Sequence, residues 1–185
     1  MSYFLNRVTE KEVLKRRVNA EPLWGAPAVW NEAILTMDHL IQLHRPELGP
    51  AEAVAQDVLK QLTSVFSLLE DLCSTTCPRC PDPCCLKAKV WFDFKDLLFL
   101  HLADQQLPLN PLMGSLRDTC RCLSHSGCTL PRIIRPWICT WYLCPPQVAN
   151  LREKPGSMQA AFSRAVQSVK AGRKKMETEF IRVVS

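Results

Sequence analysis

Ten cysteines in two groups are the residues of this chain most able to do chemistry. "CSTTCPRCPDPCC" (Cys73 to Cys85) holds five of them, and "CRCLSHSGCTLPRIIRPWICTWYLC" (Cys120 to Cys144) holds the other five. Thiolate is a soft ligand that selects zinc, copper(I) or iron–sulfur clusters over magnesium or calcium. Cys77-x2-Cys80 has the bite of a chelating pair, since two intervening residues make a tight turn that aims both sulfurs at one point. Prolines at 78, 81 and 83 stiffen that loop by fixing φ and removing backbone donors. The side chains of Cys84 and Cys85, being adjacent, tend to diverge. They are expected to serve different ions, or one ion and one structural role. In the second group Gly127 frees the backbone just before Cys128. Trp137, Trp141 and Tyr142 are expected to screen a site built around Cys139 and Cys144 from water, and Arg135 to offset part of the thiolate charge.

Whether such thiols bind metal or close disulfides depends on compartment. "MSYFLNRVTEKEVLKRR" lacks the basic-then-apolar pattern of a secretory leader, and no stretch is apolar enough to span a membrane. The expected location is cytoplasmic and reducing, where clustered thiols hold metal or do redox work more often than they form disulfides. With 185 residues, 47% hydrophobic and 22% charged, the chain is expected to be a single domain over residues 1–185 with a core of its own.

Other catalytic patterns are missing. There is no GxGxxG, P-loop, GxSxG or HExxH. His39, His44 and His101 are scattered, His125 reads as a loop residue, and His101 reads as a core residue on an apolar helix face. Asp93 and Asp96 suit a helix start, where carboxylates favour the dipole; Asp96 is also a candidate to approach a metal. The net charge of +5 is concentrated in residues 152–185, which carry eight basic and three acidic side chains. That segment reads as the wet face of a helix, with nucleic acid as a further candidate partner.

The positioning elements are expected to be helical. Thr9 and Glu12 match a capping box before a short helix to about Val18. Trp30, Ile34, Met37 and Ile41 recur at helical spacing within 29–44. A longer helix is predicted over 51–72, with Val54, Val58, Leu62, Val65, Leu69 and Leu72 inward. Val90 to Phe92 reads as a short strand, after which Asp93 caps a helix to about Ala103. The second cysteine group is expected to be irregular. Phe162, Val166, Val169, Met176 and Phe180 describe a final helix, interrupted on that face by Arg173. The fold class is therefore mainly α, with helices surrounding an irregular cysteine-rich segment stapled by metal. Residues 1–72 form a helical part, 73–146 the metal-binding core and 147–185 a basic helix.

The order Cys77, Cys80, Cys84-Cys85, then Val90-x5-Asp96-Leu97-Leu98, Cys122-Leu123, Gly127-Cys128, Arg135-Pro136 and Cys139-x2-Tyr142 resembles the YkgJ-type cysteine-cluster family. That family is described as a zinc- or iron-chelating domain and is often labelled an iron–sulfur oxidoreductase. The resemblance covers roughly residues 73–146. It implies a ligand set of Cys77, Cys80, Cys84, Cys85, Cys122, Cys128, Cys139 and Cys144, leaving Cys73 and Cys120 as extras. The family has two residues between its second cysteine and the adjacent pair; this chain has three, "PDP", which keeps Cys73 open as a substitute for Cys80. The all-sulfur shell, its aromatic cover and the Cys-Pro steps at 77, 80 and 144 favour an iron–sulfur cofactor over zinc. The expected function is a metal-binding protein, redox-active with a protein or redox partner. The alternative is a structural zinc module that presents its helices to a partner.

Overall fold

A computed structural model describes residues 25–80, 83–115, 117–124 and 127–185. The expected capping box at Thr9 and the short helix to Val18 lie outside these residues. Eight α-helices occur among the described residues. They are α1 Pro27–His44, α2 Gly49–Thr63, α3 Phe66–Thr76, α4 Cys84–Lys87, α5 Phe94–Leu102, α6 Trp137–Trp141, α7 Pro145–Glu153 and α8 Gly156–Val184. The strands β1 Leu123–Ser124 and β2 Gly127–Cys128 form one small antiparallel hairpin. The chain is thus mainly α, as its periodicity predicts.

The central element is α5. Asp93 and Asp96 form a reciprocal cap: Asp96 N–H donates to Asp93 Oδ1 (2.8 Å) and Asp93 N–H to Asp96 Oδ2 (3.0 Å). Leu97, Leu98, Phe99, Leu100 and Leu102 are all buried. A helix apolar on nearly every side belongs in the interior, and α1, α2 and α8 all pack on it. Each such leucine contributes roughly 1.5–3 kcal/mol relative to exposure. From α1, Trp30 meets the ring of Phe92 at 5.3 Å and donates through Nε1 to the carbonyl of Pro108. From α8, Val169, Met176 and Phe180 enter the same core. A smaller cluster joins Val65, Leu68, Leu69 and Leu72 to Phe162 and Ala165.

Two local expectations are corrected. The helix predicted over 51–72 is broken after Thr63. There Thr63 Oγ1 donates to the carbonyls of Leu59 and Lys60, and Ser64 Oγ to that of Gln61. Hydroxyls that bond back to the preceding turn loosen the ladder, so the helix ends there and α3 begins at Phe66, with Val65, Leu69 and Leu72 still buried. Val90 to Phe92 is not a strand: Val90 N–H donates to Met113 Sδ (3.2 Å) in place of a neighbouring strand.

The α2–α8 contact depends on Gly172. A Cβ there would lie 2.6 Å from Val58 Cγ2, and the stiff valine has little room to yield. Gly172→Ala is therefore expected to destabilise by about 1–2 kcal/mol in urea denaturation, overpacking outweighing the helix-propensity gain of about 1 kcal/mol.

Candidate metal centre

Both cysteine stretches face one cavity of about 750 Å³. Cys73, Cys77, Cys80, Cys85, Cys120, Cys128, Cys139 and Cys144 line it, so eight of the ten thiols share one space. Lys87, Lys89, Arg132 and Arg135 also line it, and no carboxylate does among the described residues. Cys122 does not reach the cavity wall, although its thiol shares a hydrogen bond with that of Cys120 and is near Cys128. Cys84 opens α4, with its side chain outside the described set, as is His125. Cys73 and Cys120, extras under the family resemblance, thus stand in the wall. Among the described residues no three cysteine, histidine or carboxylate side chains converge closely enough to enclose a single metal ion. None of the nine described cysteines is joined in a disulfide.

The wall is built from local signals. Cys73 lies near the end of α3 and Cys77 begins the 3₁₀ turn that follows it. Cys144 is the N-cap of α7, and Cys144-Pro-Pro-Gln147 is a capping box with cysteine in the serine place. Cys144 Sγ accepts from the Gln147 N–H, and Cys144 N–H donates to Gln147 Oε1 (3.3 Å). Prolines at the first helical positions suit that cap. Gly127 takes φ +111° in the β1–β2 turn, the left-handed conformation its position before Cys128 requires. The second stretch is otherwise irregular apart from that hairpin, a 3₁₀ turn at Arg132–Ile134 and the short helix α6.

Asp96 holds the second stretch in place. Its Oδ1 accepts from the Trp137 N–H (3.0 Å) at the start of α6 and from Arg173 Nη1 (2.6 Å). Arg173 Nη2 reaches Asp93 Oδ1 (2.8 Å), and its guanidinium lies 6.0 Å from the Trp137 ring centroid. The arginine that interrupts the apolar face of α8 is thus buried as the counter-charge of the α5 cap. Burial pushes Asp96 up to about 6, with the Asp93 charge adding to the rise, against the pull of Arg173 and the backbone donors. Asp96 is not part of the cavity wall, and both its oxygens are engaged; it positions α6 instead of approaching a metal.

Burial raises the Cys139 thiol to about 12, with Cys128, Cys120, Cys85 and Asp96 adding negative charge around it. Cys77 is raised by burial and then by Cys73 and Cys144, and Cys122 by burial and then by Cys120 and Cys128. Close thiols cannot all ionise without a cation between them.

The expected aromatic screen is only partly present. Trp137 packs on the core and Tyr142 lines the cavity, but Trp141 lies off the wall and is 40% exposed. A five-residue helix cannot turn every aromatic inward while Cys139 faces the cavity. Arg135 does line the wall, donating to the carbonyls of Leu130 and Cys128. Sequence reasoning missed Arg132 and Gln147. Arg132 Nη2 lies 3.6 Å from Cys73 Sγ, and Gln147 Nε2 lies 3.3 Å from Cys73 Sγ and 3.7 Å from Cys77 Sγ. The signal for Gln147 is its capping-box spacing from Cys144; none marks Arg132. His101 is half-buried on α5; burial lowers its pKa, and its Nε2 has no partner among the described residues. No helix of the described residues is long and apolar enough to cross a membrane. No protein-family model, curated protein or solved structure matches the chain.

Proposed function

We propose that this chain is a metal-binding protein whose two cysteine stretches together hold iron–sulfur. The observation that carries this is the single cavity of about 750 Å³ with eight thiols and four cationic side chains in its wall. The donor set fits the cofactor: soft sulfur ligands, and positive charge to offset the thiolates and a cluster's sulfides. The thiols line a chamber instead of meeting at one point, a spacing suited to a polynuclear cluster more than to a lone ion. The wall cysteines are the ligands, joined by Cys84 and Cys122 on the strength of the family resemblance. A bound cluster supplies one-electron transfer. The chain contributes the rest: Arg132, Arg135, Lys87 and Lys89 offset charge, and α5 with Asp96 fixes the α6 segment that bears Cys139. Thiols with raised pKa must lose their protons on loading, so affinity rises with pH.

A structural zinc module is the second reading, favoured by one feature. Metal between Cys144, which caps α7, and Cys73 or Cys77 at the end of α3 would staple those two helices whatever else it did. Anaerobic purification followed by metal and sulfide analysis and an absorption spectrum separates the two. A brown protein with acid-labile sulfide and bands that bleach on dithionite supports the iron–sulfur reading. A colourless protein with stoichiometric zinc overturns it in favour of the structural one.

A further inference from the structure

We propose that the cavity between the two cysteine stretches also binds a small organic carboxylate, an aromatic or aliphatic acid, whose charged end is held by the buried guanidinium of Arg132. Every contact this needs is to a protein side chain, so the site stands apart from the metal-binding reading above.

Arg132 begins the 3₁₀ turn Arg132–Ile134 and lines the cavity, with its side chain 8% exposed. A guanidinium presents five N–H donors in a rigid fork, and the contacts of this one are few. Nη2 lies 3.6 Å from Cys73 Sγ, a long single contact to sulfur. Nε is buried and has no hydrogen-bond partner among the described residues. Glu70, the carboxylate that faces it, stands 4.0 Å from Nε on a side chain 68% exposed, so it is out of hydrogen-bond reach and largely hydrated. A buried charged donor without an acceptor is costly. The paired oxygens of a carboxylate match the guanidinium fork and would supply the missing acceptor.

The rest of the wall indicates what that carboxylate carries. Leu69, Val90, Leu123, Ile138 and Leu143 line it, so the remaining surface of the ligand is apolar. Pockets for small molecules are of this kind, apolar with few placed polar groups and about 300–1,000 Å³ in volume; this one is about 750 Å³. Lys87, Lys89 and Arg135 stand in the same wall and no carboxylate does among the described residues, so the field inside favours an anion. Arg135 directs two donors to the carbonyls of Leu130 and Cys128, and Lys89 donates to that of Asp118 (3.1 Å). Both contribute charge, whereas Arg132 keeps an open donor. A bare phosphate suits the wall less well, because apolar side chains would leave its other oxygens unpaired.

The test titrates the full chain, anaerobic and reduced, with phenylbutyrate, its neutral amide phenylbutyramide and inorganic phosphate, read by isothermal titration calorimetry. Metal content is measured on the same samples, so the metal-binding reading is judged separately. The acid is expected to bind one equivalent, roughly tenfold or more tightly than the amide or phosphate, because a charged acceptor strengthens the bond to a guanidinium. Arg132→Met keeps much of the stem's volume and should weaken binding of the acid roughly 10- to 100-fold, with little change for the amide. Arg132→Lys, charged but without the fork, should fall between Arg132→Met and wild type. Circular dichroism checks that each variant is folded; should Arg132→Met fail to fold, the comparison of acid with amide on wild type decides. The site is overturned if the acid does not bind, if the amide binds wild type as tightly as the acid, or if folded Arg132→Met binds the acid as wild type does. Phosphate binding as tight as the acid's overturns the organic carboxylate in favour of a bare inorganic anion.

Discussion

Replacing Arg173 with methionine is expected to lower the stability of the fold by about 3–5 kcal/mol, the range found when one partner of a buried ion pair is removed. Arg173 is 4% exposed and Asp96 6% exposed, so the carboxylate left behind cannot recover by hydration. Asp93, more open, loses a second contact to the same guanidinium. Methionine fills much of the arginine stem's volume, which separates the loss of charge from the loss of packing. Urea denaturation of the single variants and of Asp96→Asn/Arg173→Met closes the cycle. The double variant should cost well under the sum of the singles, because neither then buries an unpaired charge. A loss below about 1 kcal/mol for Arg173→Met would show that the pair is screened as surface pairs are, and that Arg173 is not the counter-charge on which the α5 cap depends. The functional consequence follows from geometry. Asp96 also receives the Trp137 N–H, so its rearrangement should free α6 and weaken metal retention at Cys139 although no ligand has changed.

The second large effect concerns Cys139 itself. In the metal-free chain Cys139→Ser is expected to be mild, about 1–3 kcal/mol, the cost of burying a hydroxyl without a good partner. With metal present the difference widens. At a free metal concentration one hundred times the dissociation constant, binding stabilises the wild type by about 2.7 kcal/mol per site, which raises Tm by about 5–10 °C for a domain of this size. The wild type should show that rise and Cys139→Ser should lose it for the centre Cys139 serves. Thermal melts with and without reconstitution, followed by circular dichroism, measure it directly. Equal shifts in both proteins would remove Cys139 from the ligand set.

Much of the scaffold is legible in the order of residues. The stripe of Trp30, Met37 and Ile41 places α1, the Asp93–Asp96 spacing caps α5, and Phe162, Val169, Met176 and Phe180 place α8. These are local matters: periodicity and capping are decided within one or two turns of helix. The break after Thr63 is less visible, since an unbroken apolar stripe crosses it, and only the hydroxyl bonds to the preceding carbonyls show that the ladder has loosened there. Val90 to Phe92 misleads for the related reason that an apolar run does not say whether a partner strand exists.

At the site, the residue types are plain from the order of residues alone: ten thiols in two groups, and a glycine where the turn before Cys128 needs a positive φ. Which thiols keep company depends on the packing of distant helices. Cys73 and Cys144 are seventy-one positions apart in the chain, yet they meet through Gln147, because α3 and α7 pack together. Arg173, a blemish in an apolar stripe when seen alone, is the buried partner of two carboxylates some eighty residues away. Side-chain chemistry is a property of the residue, but the grouping of thiols and the pairing of buried charges depend on contacts distant in sequence. Those follow from how helices with long apolar faces share one core, and no local spacing encodes them.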